Sequence, residues 1–486
     1  MSFPYNNPAT DFRERTHMNN IINLLNLEDK NIEISKIERD DNAKIKYIHV
    51  CTKASARFCP ICNMRMHSRG TRQRTVNHPM LQDGYELIVL LKQRRWKCTN
   101  PACGLEMNEG FNFVNPRRRF SNASDFLILE AFKDLSKSAR AIAKEFKSSD
   151  SHVLKVFDKY VNMERLPLTD AICIDEVHME MDSKCKYVLI IQDFHTGEPI
   201  DMLISRRSEI THPYFSGIPI SERRQVKYLI SDMYNPYLEY VNKYFPSALN
   251  VVDSFHVSQW INNAITNYIR ELIRDLRKEI GAIKDDLEAQ GKKPHEIKNA
   301  LKPPSDKLYL LQKKRWLVTK NQKNVNYQYE TFYDRHFNCQ MNTYRYEDLL
   351  FKYYPKLKDL RDLKERYITF NSRNAGKPEQ AALELDELIS FYAVCGEPIF
   401  INFSQLLKRF RQPIINSFIM MTKMVSGDKH ESRLSNGPME SLNRKAKDLK
   451  RLCRGFSNFE HLRNRFLFAA RINPALDGKG DDKNGL

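Results

Sequence analysis

"DAICIDEVHMEMDSKCKYVLIIQDFHTGEPIDMLISRRS", residues 170–208, decides how the chain folds. It contains three apolar runs with strand-like alternation, AICIDEVHMEM, CKYVLIIQDFH and EPIDMLISRRS. The turn between the second and third reads HTGE, a Gly-bearing hairpin signal. Downstream, QVKYLISDM (225–233) reads as a strand, PYLEYVNKYF (236–245) as a helix and ALNVVDSF (248–255) as another short strand. Three hairpin-linked strands followed by alternating strands and helices predict a mixed α/β sheet over residues 166–256.

On either side the texture changes. Residues 257–430 are helical, charged and aromatic, with few strand signals. There IRELIRDLRKEIGAIKDDLEAQ (269–290) predicts a long amphipathic helix, and GKKPHEIKNALKPPSDK (291–307) a polar interruption. Two helices are expected over 431–472 and a disordered tail over 473–486. Before the sheet lie an N-terminal segment (1–50), a small Cys-bearing basic domain (51–115) and a helical domain (116–165). The N-terminal segment carries a helical pattern, MNNIINLLNLEDK, and an alternating strand, AKIKYIHVC.

Lys and Arg number 78 against 60 Asp and Glu, a formal charge of +18 across 486 residues. Such a field favours a polyanion, most commonly nucleic acid. No apolar run reaches membrane-spanning length, so no membrane partner is expected. With no export signal, a reducing cytoplasm is the expected compartment.

Four of the ten cysteines pair at metal-ligand spacing: Cys59 and Cys62 in FCPIC, Cys98 and Cys103 in KCTNPAC. Two short pairs separated by a strand-rich stretch suit a structural Zn²⁺ site. So small a segment, with few large apolar residues, buries little core, and zinc would supply the missing folding free energy. His67 and His78 lie between the pairs as surplus ligands. The basic runs RGTRQR and KQRRWK point the domain toward DNA.

SKSARAIAKEFKSSDSHVLKVFDKYV (136–161) predicts a helix-turn-helix. Ala139, Ile142, Ala143 and Phe146 face inward on its first helix, and Val153, Val156 and Phe157 on its second. Ser149 or Asp150 can cap the second helix. Ser151, His152, Lys155 and Lys159 would then line an outer face entering a major groove.

Asp175 follows the apolar strand AICI, and Asp232 ends another, QVKYLIS. Acids at the ends of buried strands are costly unless paired or metal-bound. Two on neighbouring strands make a candidate divalent-metal site. A third acid stands in SNGPMESLNRKAKDLKRLCRGF (435–456). At about 100° per residue, Met439, Leu442, Ala446, Leu449 and Cys453 form one apolar stripe. Glu440, Asn443, Arg444, Lys447, Arg451 and Arg454 fall in a single arc beside it. Glu440 also suits the positive end of the helix, at about 0.3–1 kcal/mol.

In this order, the Cys-paired finger, the helix-turn-helix, IDE, SDMYNPY, VVDSFHV and SNGPMESLNRKAKDLKR resemble the IS-L-three group of bacterial insertion-sequence transposases. The resemblance runs from about residue 50 to 472. It implies a ribonuclease-H-like catalytic domain with a helical insertion, and a DDE triad of Asp175, Asp232 and Glu440 holding Mg²⁺ or Mn²⁺. It further implies Asp253 and His256 as supporting residues. Arg444, Lys447, Arg451 and Arg454 would hold the phosphates of the cut strand. The expected partners are terminal inverted repeats, target DNA and a second copy of the chain, since pairing two ends requires a dimer or higher. A zinc-dependent DNA-binding regulator without catalysis, and a stand-alone metal nuclease, are the rival readings.

Overall fold

A computed structural model describes residues 25, 27, 29, 31–53, 55–79, 84–181, 185–425, 427–453 and 458–476. The helical pattern at 18–30 and the tail beyond 476 lie essentially outside these residues. The chain divides into two compact units, one of residues up to Met163 together with those from Asp448 onward, the other Glu164–Lys447.

In the first unit, β1 (Ile32–Asp40), β2 (Ile45–Thr52), β3 (Met66–His78), β4 (Glu86–Cys98) and β5 (Glu106–Asn108) form one sheet. Its order is β1-β2-β4-β3, with β5 also on β4. β2 runs parallel to β4 from Ile45↔Glu86 to Cys51↔Lys92, so the expected boundary at residue 50 does not exist. The upstream hairpin also overturns the expectation of a nearly coreless domain. Ile32, Ile34, Ile48 and Val50 bury against Val76, Leu87, Val89 and Leu91. Only the far end of the β3–β4 ribbon lacks that support, and there Cys59, Met66, Trp96 and Cys98 make a small separate cluster.

α1 (Asn122–Lys133), α2 (Ala139–Glu145) and α3 (Asp150–Tyr160) follow. Ser138 and Ser149 cap the last two, Ser149 Oγ accepting from His152 N–H at 3.2 Å. The C-terminal helix Phe459–Ala470 packs on this trio. Its Arg465, 2 % exposed, donates to the carbonyls of Asp134 (3.1 Å) and Lys137 (2.8 Å) and lies over the Phe132 ring. Residues 448–476 therefore group with the N-terminal unit, and the expected single C-terminal block over 431–472 is divided. A guanidinium so buried requires those carbonyl acceptors.

In the second unit, β6 (Ala171–His178), β7 (Tyr187–Asp193), β8 (Pro199–Leu203), β9 (Tyr228–Ser231) and β10 (Leu249–Val252) form the mixed sheet, in order β10-β9-β6-β7-β8. β6, β7 and β8 are an antiparallel meander, and β9 and β10 run parallel to β6. α4 (Ser208–Gly217), α5 (Ile220–Arg223) and α6 (Asn235–Tyr244) join them. Ile172, Ile174, Leu189 and Ile191 share a core with Phe215, Tyr237, Tyr240 and Tyr244 from these helices. The two-residue period of a strand then sends Cys173 and Asp175 to the opposite face.

From β10 the chain enters α7 (Ser254–Ala289), longer than expected, and then α8 (Pro294–Lys313). α8 occupies most of the predicted polar interruption. Glu296 accepts from Lys293 N–H at 2.9 Å to start it. It continues through Pro303 and Pro304, and buried Leu310 and Leu311 anchor its end. α9 (Trp316–Thr319), the ribbon β11 (Phe332–Asp334)–β12 (Cys339–Met341), α10 (Thr343–Tyr353), α11 (Pro355–Arg373), α12 (Pro378–Val394), α13 (Pro398–Arg409) and α14 (Arg411–Asn416) follow. They share one aromatic-rich core with α7, including Tyr367, Tyr392, Phe400 and Phe403. Asn416 Nδ2 donates to the carbonyl of Asn250 at 2.8 Å, returning the chain to the strand it left.

The helical stretch ends there, earlier than the expected 430. The hairpin β13 (Met420–Val425)–β14 (Asp428–Arg433) intervenes before α15 (Gly437–Leu452). His195, in the HTGE turn, fastens this hairpin. Its carbonyl accepts from Met424 N–H at 2.8 Å, its Nδ1 lies 2.7 Å from the Thr422 carbonyl and its Nε2 2.6 Å from Asp170 Oδ1. Both ring nitrogens face acceptors, so the imidazolium is the bound form. Burial pulls its pKa down, but the Thr422 carbonyl and Asp170 outweigh it and the net shift is upward. A raised pKa gives stability that is present at low pH and lost as pH rises through the folded value. Amide exchange across 420–433 is expected to quicken beyond its intrinsic rise as the pH climbs above the ordinary imidazole range, and His195→Gln to flatten that extra dependence.

Candidate active site and metal centre

Asp175 lies within β6, opposite Ile190 of β7, rather than after the strand. β6 and β9 are in register at Cys173↔Ile230, and two residues further that register brings Asp175 level with Asp232, just past β9. Adjacent strands are about 4.8 Å apart, so the two carboxylates are neighbours. Asp175 Oδ1 accepts from Glu176 N–H and its Oδ2 from Asn443 Nδ2, each at 2.7 Å. Burial pushes its pKa up, opposed by these two donors and the nearby His256. Asp232 Oδ1 accepts from Tyr234 N–H at 3.1 Å. Burial, then the charges of Glu176 and Asp175, push Asp232 up to about 6, against a lowering by His256.

Asp253 follows β10, which pairs with β9 at Val252↔Ser231. It is 3 % exposed and caps α7 by accepting from Phe255 N–H at 3.2 Å. His256, in the first turn of α7, acts electrostatically on both Asp175 and Asp232. Asp253 and His256 are thus beside the acid pair, the first as a helix cap.

Met439, Leu442, Ala446 and Leu449 are all buried, as the apolar stripe of α15 requires. Glu440 is exposed on the first turn of that helix. Its helix is tied to the acid pair one turn later, through Asn443. The three acids do not share one coordination sphere: among the described residues, the group of three or more His, Cys, Asp or Glu ligand atoms within 4.8 Å is the cysteine cluster. Asp175 and Asp232 fit a hard divalent cation, being half-buried, mutually repelling and joined by no ion pair with lysine or arginine among the described residues.

Sequence pattern missed Glu176. It faces away from Asp175, pairs with Arg206 and accepts from the Tyr237 hydroxyl. The Arg206 guanidinium lies between the rings of Tyr187 (4.8 Å) and Tyr234 (4.5 Å). The consecutive acids of IDE were the available signal, because alternation must send one of them to the buried face.

In the first unit, the Sγ atoms of Cys59, Cys62, Cys98 and Cys103 all lie within 4.8 Å of one another. Cys59–Cys103 is 3.7 Å and Cys62–Cys98 3.4 Å. A tetrahedral zinc with Zn–S of about 2.3 Å sets S···S edges near 3.8 Å, so the four thiols fit the ion. Backbone N–H groups of Cys62 and Ile61 lower the Cys59 thiol to about 7, whereas burial raises Cys98 to about 12, so a bound cation is what would hold all four as thiolates. His78 is buried against Ser121 Oγ at 2.9 Å, and His67 is exposed. Neither belongs to the cluster.

Ser151 and Lys155 are exposed on α3, and Lys159 is half-buried over the Tyr160 ring. His152 departs from its expected outer position. Its ring stacks on Phe120 at 4.4 Å and its Nε2 is buried, because half-burying an imidazole against an aromatic face outweighs exposing it. Arg444, Lys447 and Arg451 are exposed along α15, Arg451 pairing with Asp448 at 3.3 Å. Arg454 lies outside the described residues.

Neighbouring carboxylates on adjacent parallel strands of a mixed sheet suit metal-assisted chemistry in an α/β enzyme. The family model for IS-L-three DDE transposases, described as transposase, matches residues 172–466. The chain belongs to that family. A search among curated proteins finds no match. Membership makes the chain a DNA-cleaving, phosphoryl-transferring enzyme with a ribonuclease-H-like fold, DNA as its substrate and a divalent metal in its chemistry. It sets aside the regulator without catalysis. No helix among the described residues is long and apolar enough to cross a membrane.

Proposed function

We propose that this transposase binds the terminal inverted repeats of an insertion sequence, cuts DNA at the element's ends and joins the released 3′-hydroxyls to target DNA. Asp175 and Asp232 would hold the cation, and Glu440 would complete a metal-binding triad only by moving toward them from its exposed place on α15. A divalent cation there would supply Lewis-acid activation of the attacking oxygen and charge stabilisation at phosphorus. The chain's own residues do the rest. The sheet holds Asp175 and Asp232 side by side, and His256 favours their ionised forms. The basic arc of Arg444, Lys447, Arg451 and Arg454 steers the phosphodiester backbone toward them. The four cysteines hold a structural zinc. With the helix-turn-helix of α2 and α3, presenting Ser151, Lys155 and Lys159, the zinc domain grips the ends. Residues 254–416 form the insertion between the second and third acids.

One observation carries this reading: the Asn443–Asp175 hydrogen bond, 2.7 Å, which fixes the Glu440-bearing face of α15 against the acid of β6. A gel assay on end fragments tests it. With Mg²⁺ both cleaved and joined products are expected, and with EDTA neither. Cleavage without any joined product would leave the metal nuclease instead.

A further inference from the structure

We propose that Asn443 is a member of the metal site itself, its amide nitrogen orienting Asp175 and its carbonyl oxygen serving as a neutral ligand to the cation. This rests on the reading of Asp175 and Asp232 as the metal-binding acids.

A carboxylate only accepts hydrogen bonds, so the NH₂ end of the amide must face Asp175 Oδ2, 2.7 Å away. That choice turns Oδ1 of Asn443 away from Asp175. Oδ1 is shielded from solvent and has no hydrogen-bond partner among the described residues. A buried amide oxygen without a donor is costly and uncommon. Beside two carboxylates, a hard cation is the partner that would relieve it, since amide carbonyls are regular ligands of such ions.

The helix supports the assignment. Positions 436, 440 and 443 are spaced four and three residues apart, and so share one face. Asn436, immediately before α15, is 1 % exposed and neither of its amide atoms has a partner among the described residues. Glu440 thus stands between the buried Asn436 and the half-buried Asn443, each with shielded polar atoms that lack a partner among the described residues. A neutral oxygen also adds a ligand without adding to the repulsion between Asp175 and Asp232.

The test is Mn²⁺ binding to the full-length, zinc-loaded protein without DNA, followed by electron paramagnetic resonance. Asn443→Ala is expected to weaken Mn²⁺ affinity by about 10–100-fold. Asn443→Asp replaces the oxygen but cannot donate to an ionised Asp175, and is expected to bind at least as tightly as wild type. It also serves if the alanine variant misfolds. Wild-type affinity in Asn443→Ala, or an aspartate variant as weak as the alanine one, would overturn the proposal; the second result would make Asn443 only an orienting residue. Asp175→Asn separates the two layers. If it binds Mn²⁺ normally, the acid-pair reading itself fails. If it loses the ion while Asn443→Ala keeps it, only the role of Asn443 fails.

Discussion

Glu440→Gln is expected to lower DNA cleavage by about 10³-fold while end binding stays within about twofold of wild type. Gln preserves the length, the helix and the neutral hydrogen-bonding capacity of the side chain, and removes only the charge a cation needs. Glu440 is exposed, so the substitution should cost no more than the roughly 0.3–1 kcal/mol its charge contributes at the helix N-terminus. Gel-shift titration and a cleavage time course on one preparation read both effects. A variant that cuts and joins at the wild-type rate would remove Glu440 from the triad. Asp175→Asn should be as inactive, but at a half-buried position held by Asn443 rather than an exposed one.

Loss of the thiolate cluster is expected to act locally. Cys98→Ala, or chelation, should unravel the far end of the β3–β4 ribbon and the knuckle from Phe58 to Arg65. The β1-β2-β4 core with Val89 and Leu91 should persist. Trp96, 5 % exposed inside the small Cys59–Met66–Cys98 cluster, reports the change by a red-shifted fluorescence. Structural zinc contributes roughly 10–16 kcal/mol of apparent folding free energy in isolated fingers. Here a conventional core next door limits the damage, so specific end binding should fall without loss of the whole unit. A single cooperative loss of both regions would show that zinc holds the entire sheet.

Local signals were legible in the sequence and long-range ones were not. The cysteine knuckles, the meander of β6 to β8, the apolar stripe of α15 and the Ser149 cap each depend on neighbours a few residues apart. Period and spacing suffice for those. The bond between Asn443 and Asp175 spans 268 residues, and the Glu176–Arg206 pair spans 30. No periodicity encodes such partners. His152 had the right helical position for the outer face, yet Phe120 offered a ring to stack on. The parallel pairing of β2 with β4 was equally hidden, because it joins a strand placed in the N-terminal segment to one placed in the zinc domain. Pro303 and Pro304 misled in the opposite direction, since a composition that breaks most helices was overridden by the packing of Leu310 and Leu311.

The chain leaves the sheet at β10 and, after α14, comes back to it through the bond from Asn416 to Asn250. Departure and return are therefore next-door neighbours, and the helices hung between them meet the sheet at its β10 edge, where Val252 joins their core. A shortcut of a few glycines across that doorway should leave the strand order intact. Length added or removed between those two points would change the excursion without moving either of its ends.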